Sequence, residues 1–179
     1  ARELGKVSVD PTVTRQAIQA IRLLNVTQRF AAIKMLLDEE NVLILAPIFV
    51  TLMRVIRDLY PELSSPEQMY VDASLTKLYT DKSPLLSVEV NLAHYLQALA
   101  GNPSQGKEEI LVHLFTSTGN PLLRRLIILS MARWKCHYWL SDAKALYGSM
   151  TVFEKRAFII ASYFLGDEGK HWRDHTKGS

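Results

Sequence analysis

Asn120-Pro121-Leu122-Leu123-Arg124-Arg125 holds a cap residue, a proline and the start of an apolar helix within six residues. The asparagine oxygen can accept a first-turn N–H, and proline at the first helical position forfeits no intrahelical bond. Asp10-Pro11-Thr12-Val13-Thr14-Arg15 repeats the design, and Thr151-Val152-Phe153-Glu154-Lys155-Arg156 keeps it without the proline. In each, an arginine follows the cap by five positions and an apolar helix comes next. Ser83-Pro84-Leu85-Leu86 begins alike but has Val88 where arginine would fall, and Glu40-Asn41-Val42-Leu43 reads as a degenerate copy. Starts at 10, 40, 83, 120 and 151 are spaced by 30, 43, 37 and 31 residues. Such periods suit helix-pair repeats of the HEAT or armadillo kind, usually ~40–47 residues long. The expected fold is all-α, a right-handed α-solenoid of HEAT/armadillo-like antiparallel helix pairs, with an irregular helical bundle as the alternative.

Working outward, apolar residues recur at three- and four-residue spacing, and no run alternates with period two. Helices are predicted at about 10–24, 27–38, 42–59, 66–79, 84–100, 106–117, 121–135, 138–147, 152–165 and 167–175. Tyr60-Pro61, Gly101-Asn102-Pro103, Gly119-Asn120-Pro121 and Gly148-Ser149 separate them. Ser65-Pro66 reads as a further capped start. Pro47, inside Val42–Met53, calls for a kink or a fresh start near that residue. The stretches 121–134 and 152–165 are apolar almost all round, which demands cover on several sides and places Ile128 and Ile160 in the core.

The 179 residues and 48% hydrophobic content fit one all-helical repeat domain over 1–179 and exclude wholesale disorder. The longest apolar run is too short for the ~20 residues of a membrane span, so no membrane partner is expected. A single cysteine, Cys136, excludes an internal disulfide framework and suits the reducing cytoplasm. The chain opens at Ala1 and closes on Lys177-Gly178-Ser179, which reads as a domain excised from a larger protein. Charge is uneven: residues 1–119 carry eleven Lys and Arg against thirteen Asp and Glu, whereas 120–179 carry ten against five. A basic final third suits a polyanionic partner, although a solvated surface has the same composition.

Catalytic signatures are absent: there is no phosphate loop, H-E-x-x-H, G-x-S-x-G or G-x-G-x-x-G. Asp38, Glu39 and Glu40 are consecutive, so a helix end scatters their carboxylates. Gly166-Asp167-Glu168-Gly169 reads as a junction between two helices. Cys136, His137, His171 and His175 could in principle supply tetrahedral zinc, but their spacing lacks the C-x₂-C pattern, so no metal or other cofactor is expected. Arg15, Arg125 and Arg156 recur at one repeat position, where carboxylates and helix-end carbonyls of neighbouring copies are natural partners. Arg124, Arg133, Lys155, Lys170 and Arg173 lack that repeat position. With Trp172 as a stacking platform they form the candidate nucleic-acid-binding set, the aromatics otherwise filling the core.

The run Phe153-Glu154-Lys155-Arg156-Ala157-Phe158-Ile159-Ile160-Ala161-Ser162-Tyr163-Phe164-Leu165-Gly166-Asp167-Glu168-Gly169-Lys170-His171-Trp172-Arg173 resembles a segment near the end of bacterial reverse transcriptases of the defence-associated and abortive-infection groups. In that family an all-helical, HEAT-like region follows the polymerase core. The resemblance covers the last fifth to third of the chain. It implies a non-catalytic accessory domain of an RNA-directed DNA polymerase acting in antiviral defence. Its partners would be the polymerase core of the parent chain, single-stranded DNA or RNA, or sister subunits in a homo-oligomer. The Y/F-x-D-D palm motif of the family does not occur here, so no catalytic residue carries over. A protein–protein scaffold of HEAT type, without a nucleic-acid role, is the alternative.

Overall fold

The computed structural model describes residues 10–136 and 144–176, with the side chains of Pro11, Val26, Asp167, Glu168, Trp172, His175 and Thr176 outside that description. Among the described residues every regular element is helical, which establishes the all-α class. The predicted helix at 138–147 falls mainly outside the described residues. No described helix is long and apolar enough to cross a membrane. The chain forms two compact units, residues 1–101 and 102–179.

In the first unit, α1 (Pro11–Ala20) runs into a 3-10 turn and is followed by α2 (Val26–Leu37). The short α3 (Val42–Leu45) gives way at Pro47 to a 3-10 turn, Ala46–Ile48, and then to α4 (Phe49–Leu59). The fresh start expected at Pro47 is therefore present, because the ring cannot donate the backbone bond that a continuous helix needs. Next come α5 (Ser65–Thr80), a 3-10 turn at Pro84–Ser87 and α6 (Glu89–Leu99). The α4 helix is the axle of this unit: Phe49, Leu52, Met53, Val55, Ile56 and Leu59 are all buried, on a broad stripe of helical period. It packs against both α1 and α6. Tyr95 of α6 is fully buried and donates its hydroxyl to the Leu75 carbonyl at 2.7 Å, tying α6 to α5.

Capping explains where these helices begin. Asp10, Asn25 and Asn41 accept the first-turn N–H of Thr12, Gln28 and Leu43. The α5 start lies one residue earlier than expected. Ser64, not Ser65, is the cap, because a reciprocal box with Glu67 satisfies two free donors at once. The predicted helix at 84–100 is split in two. Ser83 caps only the 3-10 turn, and extended backbone at Val88 precedes α6.

The second unit contains α7 (Gln105–Ser117), α8 (Pro121–Arg133), a 3-10 turn at Tyr147–Ser149, α9 (Val152–Phe164) and α10 (Gly166–Thr176). Asn120 caps α8, and Thr151 opens α9 in a capping box with Glu154. Leu123, Ile127, Ile128 and Met131 of α8 are buried, and so are Ala157, Phe158 and Ala161 of the neighbouring α9. Ile128 is fully buried as expected, but Ile160 is 45% exposed. Ile160 belongs to an outward stripe of α9 with Phe153 and Phe164. The helix has α8 and α10 as neighbours, so an apolar circumference does not by itself produce cover on every side. The α9–α10 junction is tight. Gly166 adopts φ +62°, which ends α9 and turns the chain. A Cβ at Gly169 would lie 1.6 Å from the Ser162 carbonyl oxygen, so only glycine allows α10 to approach this closely.

Candidate functional site

Arg124, in the first turn of α8, is a fastener inside the second unit. Its Nε donates to the Thr118 carbonyl at 3.0 Å, and Nη1 donates to Glu154 Oε1 at 3.2 Å. Its guanidinium carbon lies 5.0 Å from the Phe115 ring centroid, within range of a cation–π contact. Glu154 is 2% exposed and uses both oxygens, since Oε2 accepts the Thr151 N–H at 2.6 Å. A buried carboxylate needs a countercharge and filled lone pairs, and this one has both. One side chain thus closes the α9 capping box and anchors α8 to α9.

The remaining candidates divide. Lys155 is half-buried with its ammonium 5.2 Å from the Tyr147 ring centroid. Arg173 of α10 donates to Ser162 Oγ at 3.1 Å and lies 3.9 Å from the Tyr163 ring centroid. Arg133 and Lys170 are exposed, and the Trp172 side chain lies outside the described set. Arg124 meets the first turn of α9 and Lys155 belongs to it, whereas Arg173 meets its last turn. Eight residues of helix, or about 12 Å, separate those two ends. Arg124 and Arg173 both serve internal contacts.

The recurring arginines follow the same logic, with one correction. Arg15 donates to the Pro47 carbonyl at 2.7 Å, joining the copy that starts at 10 to the copy that starts at 40. Arg125 and Arg156 are exposed. In the copy starting at 120 the fastening residue is Arg124, because one step along a helix rotates a side chain by about 100°.

Cys136 is buried with Sγ 3.2 Å from Glu108 Oε1. Burial first, then the hydrogen bond and charge of Glu108, push its thiol up to about 12. Such a thiol is not a nucleophile near neutral pH. Among the described residues no group of three His, Cys, Asp or Glu could hold a metal ion. His137 and the His175 side chain lie outside them. His94 is half-buried with Nδ1 lacking a hydrogen-bond partner. Burial, then the nearby Arg54 and Arg57, lower its pKa.

The first unit carries a cleft of about 740 Å³ along α5. Leu37, Leu45, Leu78 and Leu85 supply apolar lining, and Asp38, Glu40 and Asp81 supply charge. Tyr70 donates its hydroxyl to Asp38, Lys34 bonds the same carboxylate at 3.3 Å, and Phe30 meets the Tyr70 ring edge-on. The Tyr70 hydrogen bond is the main cause that holds the Asp38 carboxyl below its ordinary range.

No protein family, curated protein or solved structure matches this chain.

Sequence reading missed two features that the geometry brings out. The Thr151-x-x-Glu154 spacing was legible as a capping box, and the box identifies Glu154 as a carboxylate held at α9's first turn. Asp38 and Glu40 were read as scattered at a helix end. They line one cleft with Asp81, and no spacing within 38–40 could show that.

Proposed function

We propose that this chain is a non-catalytic helical accessory domain of the kind appended to bacterial defence-associated reverse transcriptases, acting through contacts with a polymerase core, nucleic acid or sister subunits. The observation that carries the reading is the α9–α10 hairpin. The run that bears the resemblance, 153–173, coincides with it, and both glycines of Gly166-Asp167-Glu168-Gly169 have geometric duties there. A string whose fixed points serve helix packing suits a module without chemistry of its own.

We further propose that the helices form a HEAT-like stack. The long helices that follow consecutive starts meet: α1 with α4, which the start at 40 reaches through the short α3, then α4 with α6, and α8 with α9. Equivalent helices of adjacent repeats make such contacts in a solenoid. The Arg15–Pro47 and Arg124–Glu154 bonds each link one copy to the next.

The second reading, a protein scaffold without a nucleic-acid role, is favoured by the internal engagement of Arg124 and Arg173. Fluorescence anisotropy with labelled single-stranded oligonucleotides at ~50 mM salt separates the two. The accessory-domain reading expects weak, sequence-tolerant, salt-sensitive binding that weakens when the exposed Arg133 and Lys170 are reversed to glutamate. Absence of binding at high micromolar protein leaves the scaffold. Reading the gene upstream of the Ala1 codon for a Y/F-x-D-D palm tests the polymerase connection itself.

A further inference from the structure

The cleft of the first unit combines an apolar lining with a negative mouth, and the source of that charge is informative. Asp38 is the C-cap of α2 and Asp81 is the C-cap of α5. A helix C-terminus carries a partial negative charge from its free carbonyls, so a carboxylate there adds to the negative potential at this opening. Both helices that end at this cleft place a carboxylate at the C-cap, each with a lysine in its last turn. Glu39 and Glu40 add to it, and Lys77 is the one cation among the lining residues. Asp38 is engaged by Lys34 and Tyr70, so the charge left open at the mouth is that of Glu40 and Asp81, both exposed.

The shape completes the argument. Tyr70, Ala73, Ser74, Lys77, Leu78 and Asp81 share one face of α5 across three turns, about 16 Å of helix. Ala73 and Ser74 sit in the middle, where small side chains let another backbone come close. Leu45 and Leu85 are buried beneath.

We propose that this cleft is a docking groove for a basic peptide segment of a partner protein. An apolar side chain of the segment sits over Leu45 and Leu85, and a neighbouring lysine or arginine is held by Glu40 and Asp81. Charge complementarity selects this occupant: the carboxylates and two helix C-termini repel nucleic acid and acidic peptides alike. The Lys34–Asp38–Tyr70 cluster keeps one lip of the groove rigid. The inference stands independently of the accessory-domain reading, since that reading concerns residues of the other unit.

The test selects a display library of random peptides of about twelve residues, long enough as a helix to match the groove, on the intact protein. Enriched sequences should pair Leu, Ile, Phe or Met with Lys or Arg. A labelled synthetic peptide of that consensus should lose about tenfold or more in affinity to Ala73→Trp, which fills the groove. A comparable loss is expected for the doubly reversed Glu40→Lys, Asp81→Lys, with binding also weakening as salt rises from about 50 to about 300 mM. All three positions are exposed, and circular dichroism checks that the variants remain folded. No enrichment, a consensus without basic residues, or binding indifferent to both variants overturns the proposal. Spermidine displacing the peptide at equal affinity also overturns it, since the site would then recognise charge alone. Oligonucleotide binding measured on the same variants stays unchanged if the two sites are separate, so failure here leaves the accessory-domain reading standing.

Discussion

Replacing Gly169 with alanine tests the tightest contact in the second unit. The added Cβ would stand 1.6 Å from the Ser162 oxygen and 2.5 Å from its carbonyl carbon. Both atoms are backbone of α9, so no side-chain rotation relieves the clash. An ordinary carbon–oxygen contact is ~3.3–3.6 Å, so α10 would have to retreat by nearly 2 Å. A gap of even 1 Å forfeits up to about half of the dispersion energy of the atoms lining it. The retreat would also break the Arg173–Ser162 bond. Overpacking costs about 1–3 kcal/mol, and a backbone clash of this depth belongs at the upper end. Alanine returns about 1 kcal/mol through its higher helix propensity. The net expectation is a loss of about 2 kcal/mol, or a Tm lower by about 4–8 °C for a chain of this size. Urea denaturation followed by far-UV circular dichroism measures it. Gly106→Ala is the control: Gly106 lies in the first turn of α7, and its Cβ would meet nothing within 4 Å. That variant should be neutral or slightly stabilising. If Gly169→Ala came within ~0.5 kcal/mol of wild type, α9 and α10 would not be packed as described.

Four further outcomes follow from the same geometry. Ile128→Ala should cost about 2–5 kcal/mol as a core truncation, while Ile160→Ala should cost well under 1, and equal losses in urea titration would contradict the assigned faces of α8 and α9. Glu154→Ala should cost about 2–3 kcal/mol, less than a fully buried pair because the Arg124 side chain is 32% exposed, and Glu154→Gln should recover part of that. Gly166→Ala should cost about 1 kcal/mol through its positive φ alone, since its Cβ would meet nothing. Cys136 should resist iodoacetamide at pH 8 in the native protein and react on unfolding. With its folded pKa raised to about 12 from an ordinary 9.0, its contribution to stability is full below pH ~9 and declines as pH rises toward 12, because only the unfolded thiol ionises in that window. Rapid native alkylation would show the thiol to be accessible.

Much of the fold was legible because helix starts are local events. Asp10, Asn41, Asn120 and Thr151 act as caps through atoms only two or three residues away, so spacing alone reveals them. Pro47 breaks its helix for an equally local reason. The misplacement at Ser64 is instructive: Ser65-Pro66 looks like a cap followed by proline, but the reciprocal bond to Glu67 outweighs that preference, and Pro66 still fits within the first turn. Burial of α9 was harder to read. Its sequence is apolar on every side, so periodicity could not say which side meets α8 and which stays open, and Ile160 was assigned to the core on composition.

The candidate site was legible only as an inventory. Arg124 and Arg125 are adjacent and chemically identical, yet one is locked to a buried glutamate thirty residues away and the other is exposed. The difference is one helical step, and what decides it is the position of Glu154, itself fixed by Thr151 through the capping box. Helix capping in α9 therefore determines which arginine of α8 is withdrawn from the surface. A count of ten basic residues in the final third overstates the charge available to a polyanion for the same reason, because Arg124 and Arg173 neutralise or bridge groups within the fold. The acidic cleft shows the converse. Asp38 and Asp81 are forty-three positions apart with no pattern joining them in sequence, but the ends of α2 and α5 bring both to one opening. Two helix termini concentrate carboxylates of residues 1–119 at one opening, and the exposed Glu40 and Asp81 beside an apolar lining are the reason to propose it as a binding surface.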